Sequence, residues 1–303
     1  MPMIKLIIEK NLSLLLLLGV VLGFFIPSFG SAADEIVIFL TAALIFISCS
    51  DIEPKNFFKT DIFEQGLFVL TRFMVFPLVL YMIAKIIVPE FAMGVLLLSL
   101  MPAGVAVASL CSMSRGGVIL GLSLTIISSL LTPLTIPAMF SFIGVQVNVN
   151  SVDLFCVLML IVVLPVFIYL LIIRQLKTVH KKIKSHNKTL PVLILAMILA
   201  IVVASQKHEL LNNPSVVYYG FLIMVFLFAL YYLFGIAYSK FVKQSDQISY
   251  IFGSGAMNNS LAVGLAFAYF DSNTIIFIVL SEVVWSIYIA GAQYYFSKKG
   301  EGA

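Results

Sequence analysis

Gly253-Ser254-Gly255-Ala256-Met257-Asn258-Asn259-Ser260 interrupts an apolar run extending over 247–270. Glycine loosens a helix, and the asparagine pair brings amide donors and acceptors into a stretch otherwise suited to lipid. A membrane-crossing helix tolerates such a break only where the freed backbone groups are buried in protein or line a water-filled cavity. A second break, Met101-Pro102-Ala103-Gly104, lies in the run 91–113, where proline removes a backbone donor. Aligning Ala103–Leu110 with Ser254–Leu261 matches Gly, Ser and Leu at three of eight positions. The weight lies in the placement, because each break falls in the fourth apolar run of its half of the chain.

Outward from these breaks the chain is apolar throughout. Of its 303 residues 62% are hydrophobic and 11% charged, with a mean hydropathy of +1.13. A soluble domain of this length has too little interior to hide that much apolar surface, so the solvent is the lipid bilayer. A spanning helix takes about 20 mostly apolar residues. Ten runs qualify within a few residues: 11–30, 35–50, 64–88, 91–113, 117–143, 150–173, 189–206, 214–238, 247–270 and 273–296. The start also has the outline of a signal peptide, with Lys5 and Lys10, the apolar Leu12–Ile26 and the small Ser31–Ala33. A retained first span is the reading taken, since removing it spoils the pairing of halves.

With both termini cytoplasmic, Lys5, Lys10, Lys55, Lys59, Arg115, the basic stretch Arg174–Lys188, Lys240, Lys243, Lys298 and Lys299 all fall inside. Only Lys207 falls outside, with Lys85 near the outer end of the third span. This is the asymmetry of a multi-pass inner-membrane protein. A net charge of +4 distributed in this way is no nucleic-acid signal. Five spans to either side of residue 145 must be oppositely oriented, giving inverted repeats over 1–145 and 146–303, an architecture common among transporters. Cys49, Cys111 and Cys156 are irregularly spaced with no His near them and read as packing residues; no metal or cofactor is expected.

The expected site gathers at the breaks. Each leaves a half-helix N-terminus near the bilayer midplane, with free N–H groups and partial positive charge that favour an anion. Candidate substrate-binding residues are Gly104, Val105, Asn258, Asn259 and Ser260, together with Arg72, a charge eight residues into the third span. At that depth it costs roughly 2.5–3.5 kcal/mol unless it snorkels or serves a site. Glu282, midway along the tenth span, needs a partner or a proton and is the candidate proton carrier. Thr125, Ser128 and Ser129 share a helix in which hydroxyls usually bond their own backbone, and Trp285 reads as packing.

The same residues resemble the bile acid:sodium symporter family. The likeness runs from Met101-Pro102-Ala103-Gly104 through Arg115-Gly116 and on from Leu120 to Pro133, and includes Arg72-Phe73-Met74-Val75-Phe76-Pro77 and Gly255–Phe270. It implies an all-α fold of ten transmembrane helices in two inverted five-helix repeats with discontinuous helices 4 and 9. It further implies a core of helices 3–5 and 8–10, and a panel of helices 1, 2, 6 and 7. It implies sodium ligands at positions that here read Val107, Ala108, Gly253 and Met257, and a third-helix Gln where Arg72 stands; only Thr125 is retained. A guanidinium in that position can replace the charge of a bound ion. The expectation is therefore a secondary active transporter of a small organic anion such as a carboxylate, working by alternating access and either sodium-independent or proton-coupled through Glu282 and Thr125. Two alternatives stay open: a sodium symporter with relocated ligands, and a membrane receptor or scaffold that binds without moving its ligand. No Ser/His, His/Glu or paired-Asp constellation within the spans suggests an enzyme, and no ATP-binding motif a primary pump.

Overall fold

The computed structural model describes the backbone of residues 12–30, 32–51, 61–114, 116–144, 150–173, 175–187 and 189–299. Among the described residues every regular element is a helix. Helices α1 (Leu12–Phe25) and α2 (Ala32–Ser48) lead to α3 (Ile62–Ile87), which contains a π turn over Thr71–Val75. A broken pair follows, α4 (Ala92–Ser99) and α5 (Ala106–Met113), and then α6 (Val118–Ile143). α7 (Ser151–Ile173) carries π turns over Met159–Val163 and Tyr169–Ile173. α8 (Lys177–Lys184), α9 (Thr189–Asn212) and α10 (Pro214–Ser239) precede the second broken pair, α11 (Gln247–Gly255) and α12 (Asn259–Tyr269). α13 (Ser272–Lys299) ends the described chain.

Helix ends follow local chemistry. Asp61 caps α3 by accepting from the backbone N–H groups of Phe63 and Glu64, and Asn150 does the same for Val152 and Asp153 at α7. Gly144 closes α6 in the left-handed region, at φ 72°. The basic connection before α9 is more ordered than its composition suggests. Its middle coils into α8, and His180 Nδ1 lies 2.7 Å from the Tyr169 hydroxyl of α7.

Among the described residues six helices, α3, α6, α7, α9, α10 and α13, are long and apolar enough to cross a membrane. Large apolar side chains face outward along the chain, Phe63 at 83% exposure and Ile86 at 84% among them, as lipid contact requires. The chain is an all-helical, multi-pass membrane protein. The remaining expected spans are shorter here: α2 has 17 residues, and each broken run divides into two pieces of 8 to 11. Lys5, Lys10, Lys55, Lys59, Arg115, Arg174 and Lys188, the side chains of Lys298 and Lys299, and the repeat boundary at 145 lie outside the described residues.

α9 lies along α1 and α2, and α2 also touches α7 and α12. α3 packs on α4, α5 on α6 and α6 on α7; α11 meets α5 and α6, and α10 packs on α11 and α13.

Candidate functional site

Pro102 ends the first half-helix run and Gly104 lets the two breaks touch. Ala103 pairs with Met257 as an isolated antiparallel bridge. Gly104 N–H donates to the Ala256 carbonyl at 2.7 Å, and Asn258 N–H to the Pro102 carbonyl at 2.9 Å. A Cβ on Gly104 would stand 2.8 Å from the Met257 carbonyl oxygen, so only glycine fits this approach. α6 holds the first break from behind. Ser128 Oγ accepts from Ala103 N–H at 3.1 Å, and Thr125 Oγ1 donates to the Gly104 and Gly121 carbonyls, each at 3.0 Å. Two short peptides at membrane depth thus satisfy one another's polar groups. The helix starts at Ala106 and Asn259 are offset by two residues from the three-of-eight sequence alignment, because the breaks pair antiparallel.

The crossing has two kinds of helix end. α4 and α11 run into it with their C-termini, which carry unpaired carbonyls and partial negative charge. Arg72 lies among these ends. From the π turn of α3 its Nη1 donates to the Ser99 carbonyl at 3.0 Å. Nη2 and Nε donate to the Ser254 carbonyl at 2.8 and 3.1 Å, and Nε also to Ser254 Oγ at 2.9 Å. Nη2 further contacts Met257 Sδ at 2.9 Å. The guanidinium carbon sits 4.5 Å from the Tyr231 ring centre and 4.9 Å from that of Phe73. Tyr231 completes the knot, its hydroxyl 2.7 Å from Ser99 Oγ and its carbonyl accepting from Ser254 Oγ at 2.6 Å. Arg72 is fully buried and is not among the residues that line the cavity described next. Met257, where the family resemblance implies a sodium ligand, presents sulfur to Arg72 instead.

α5 and α12 leave the crossing with their N-termini toward a cavity of ≈ 210 Å³. Gly104 and Val105 reach it from the first break, Asn258, Asn259 and Ser260 from the second, Thr125 from α6 and Glu282 from α13. The structure therefore brings together every candidate residue from the sequence except Arg72. The facing wall is apolar, with Leu44 of α2, Val162 and Val166 of α7 and Val192 and Leu195 of α9. No Lys, Arg or His lines the cavity among the described residues.

The polar groups here divide sharply. Asn258 Oδ1 caps α12, accepting from Leu261 N–H and from Ser260 Oγ. Among the described residues, both oxygens of Glu282, both amide atoms of Asn259 and the indole N–H of Trp285 have no hydrogen-bond partner. Glu282 is 2% exposed and Asn259 4%. Buried polar atoms are nearly always paired with protein or water, so a cluster left without protein partners in one cavity makes that cavity the candidate site. Trp285, read from the sequence as packing, lines this cavity. Its signal was its spacing, three residues after Glu282 and hence on the same helix face. Among the described residues no group of His, Cys, Asp or Glu is placed to hold a metal ion.

A family model described as the SBF-like CPA transporter family matches residues 10–291. No curated protein matches the chain.

Proposed function

The chain belongs to the SBF-like CPA transporter family, and from that premise we propose that this membrane transporter is a secondary carrier of a small organic anion, a carboxylate, that works without sodium. The observation that carries the reading is the cavity at the two breaks, bounded by two half-helix N-termini and holding unpartnered buried polar groups. Two converging N-termini attract an anion. Asn259 and Ser260 supply hydrogen bonds, while Gly104 and Val105 let the substrate approach backbone N–H groups. Asn258 and Thr125 hold the breaks in shape.

Arg72 takes the place of a bound cation in this scheme. It neutralises the negative ends of α4 and α11 with a charge that never leaves. Val107, Ala108 and Gly253 offer no side-chain oxygen where the family resemblance implies sodium ligands. A sodium ion about 4 Å from the guanidinium would be repelled by about 4 kcal/mol at an effective dielectric near 20. Glu282 is the ionisable group lining the cavity and the proposed proton carrier.

The wider architecture in this proposal is ten spans in two inverted repeats, 1–145 and 146–303, in the inner membrane with both termini cytoplasmic. α3–α6 and α10–α13 form the core, and α1, α2, α7 and α9 form a panel that rocks against it around the cavity. Support comes from the cavity's composition, with one wall from each group. The test is uptake of a mixture of small carboxylates into proteoliposomes under imposed sodium or proton gradients. The expected result is uptake unchanged when choline replaces sodium. A steep loss on sodium removal would mean that the ion ligands have moved, and binding without flux would mean a receptor.

A further inference from the structure

The cavity has a polarity that a plain carboxylate does not match. Its positive features are two helix starts, at Ala106 and Asn259, and these attract a negative group. Among the described residues its one acidic side chain is Glu282, buried, with neither oxygen hydrogen-bonded. Among the described residues no basic side chain lines the cavity to neutralise it, and Arg72 is engaged with the carbonyl ends of α4 and α11. A buried carboxylate needs a cationic or protonated partner. The same cavity is lined by Asn259, whose amide donor and acceptor have no partner among the described residues, and by Trp285, whose indole N–H has none. The opposite wall is aliphatic.

We propose that the substrate is a zwitterion, an α-amino carboxylic acid with an apolar side chain, whose ammonium group is held by Glu282. This rests on the reading of the cavity as a carboxylate site and adds the second charge. The substrate carboxylate takes the N–H groups at the starts of α5 and α12. The ammonium donates to Glu282 and to the Asn259 amide oxygen. The apolar side chain meets Leu44, Val166 and Leu195. The substrate is then neutral as a whole, and the loaded site carries one net negative charge rather than the two of an anion facing an ionised Glu282.

Trp285 is the chain's single tryptophan and lines the cavity, so its fluorescence reports occupancy directly. The full-length protein in lipid nanodiscs is titrated with three probes of one carbon skeleton: pentanoate, pentylammonium and 2-aminopentanoate. The amino acid is expected to bind about tenfold or more tighter than either single-charge probe, the difference that one well-placed ionic hydrogen bond makes. In Glu282→Gln its advantage over pentanoate should fall to about twofold or less. If that variant does not fold, Glu282→Asp, which withdraws the charge by one methylene, must weaken 2-aminopentanoate more than pentanoate. Pentanoate binding as tightly as 2-aminopentanoate overturns the zwitterion while leaving the carboxylate carrier standing. Pentylammonium binding tightest, or no probe changing the fluorescence, overturns both.

Discussion

Arg72 and Glu282 are both buried beside the crossing, at 0% and 2% exposure, yet their surroundings differ completely. Arg72 uses all three guanidinium nitrogens on protein acceptors and stacks against Tyr231 and Phe73. Glu282 has no hydrogen-bond partner among the described residues and opens onto the cavity. A buried charge whose nitrogens all bond the protein holds structure together, and removing it leaves its partners stranded. A buried charge with nothing attached adds no hydrogen bond to the folded state, and its partner must come from outside the chain. The two ends of the broken helices follow the same division, with C-terminal carbonyls closed by Arg72 and the starts of α5 and α12 at the cavity.

Thermal unfolding in detergent micelles can break that contrast, beginning with its stronger side. Arg72→Ala strands the Ser99 and Ser254 carbonyls and empties a buried volume, so the loss should be about 2–5 kcal/mol. Arg72→Lys should recover only part of it, because one ammonium cannot reach both carbonyls with the planar fork's geometry. An unchanged midpoint in Arg72→Ala would show that the knot around Tyr231 holds the crossing without the arginine.

A smaller effect is expected at Thr125. Thr125→Val removes a hydroxyl shared between the Gly104 and Gly121 carbonyls with little change in shape. The expected cost is about 1 kcal/mol. A loss as large as that of Arg72→Ala would move the centre of support from α3 to α6.

The smallest stability effect is expected at Glu282. Glu282→Gln should leave the unfolding midpoint level or slightly raised, since no hydrogen bond is lost and a buried charge is removed. Uptake in proteoliposomes should nonetheless fall at least about tenfold, in keeping with loss of a group that meets the transported species. A marked drop in stability would mean that Glu282 has a structural partner and would erase the contrast with Arg72.

The broken helices were legible in the sequence because proline, glycine and paired asparagines cannot continue an apolar helix unaided. From Met101-Pro102-Ala103-Gly104 and Gly253–Ser260 alone it followed that backbone groups there need partners. The candidate cluster of Gly104, Val105, Thr125, Asn258, Asn259, Ser260 and Glu282 was legible for the same reason: each is a polar or helix-breaking exception in an apolar run or sits beside one. α8 was missed because a basic stretch reads as solvated loop, and charge dominates composition there while Val179 and Ile183 carry only a faint helical spacing.

By itself, then, the sequence determined that this chain lives in lipid as apolar helices, that two of those helices are broken, and where the rare charges fall along them. These are properties of composition and local spacing, and backbone hydrogen bonding in a bilayer leaves few alternatives. Only the tertiary structure decided which way each charge looks. Arg72 was a candidate for the substrate site as long as its surroundings were unknown; the pairing of residues 102–104 with residues 256–258 put the carbonyl ends of α4 and α11 within its reach and turned it away from the cavity. Trp285 became a cavity residue by the same packing. Such contacts join positions 185 residues apart, as in Arg72 and Met257, and no local pattern in a single chain encodes which of them meet.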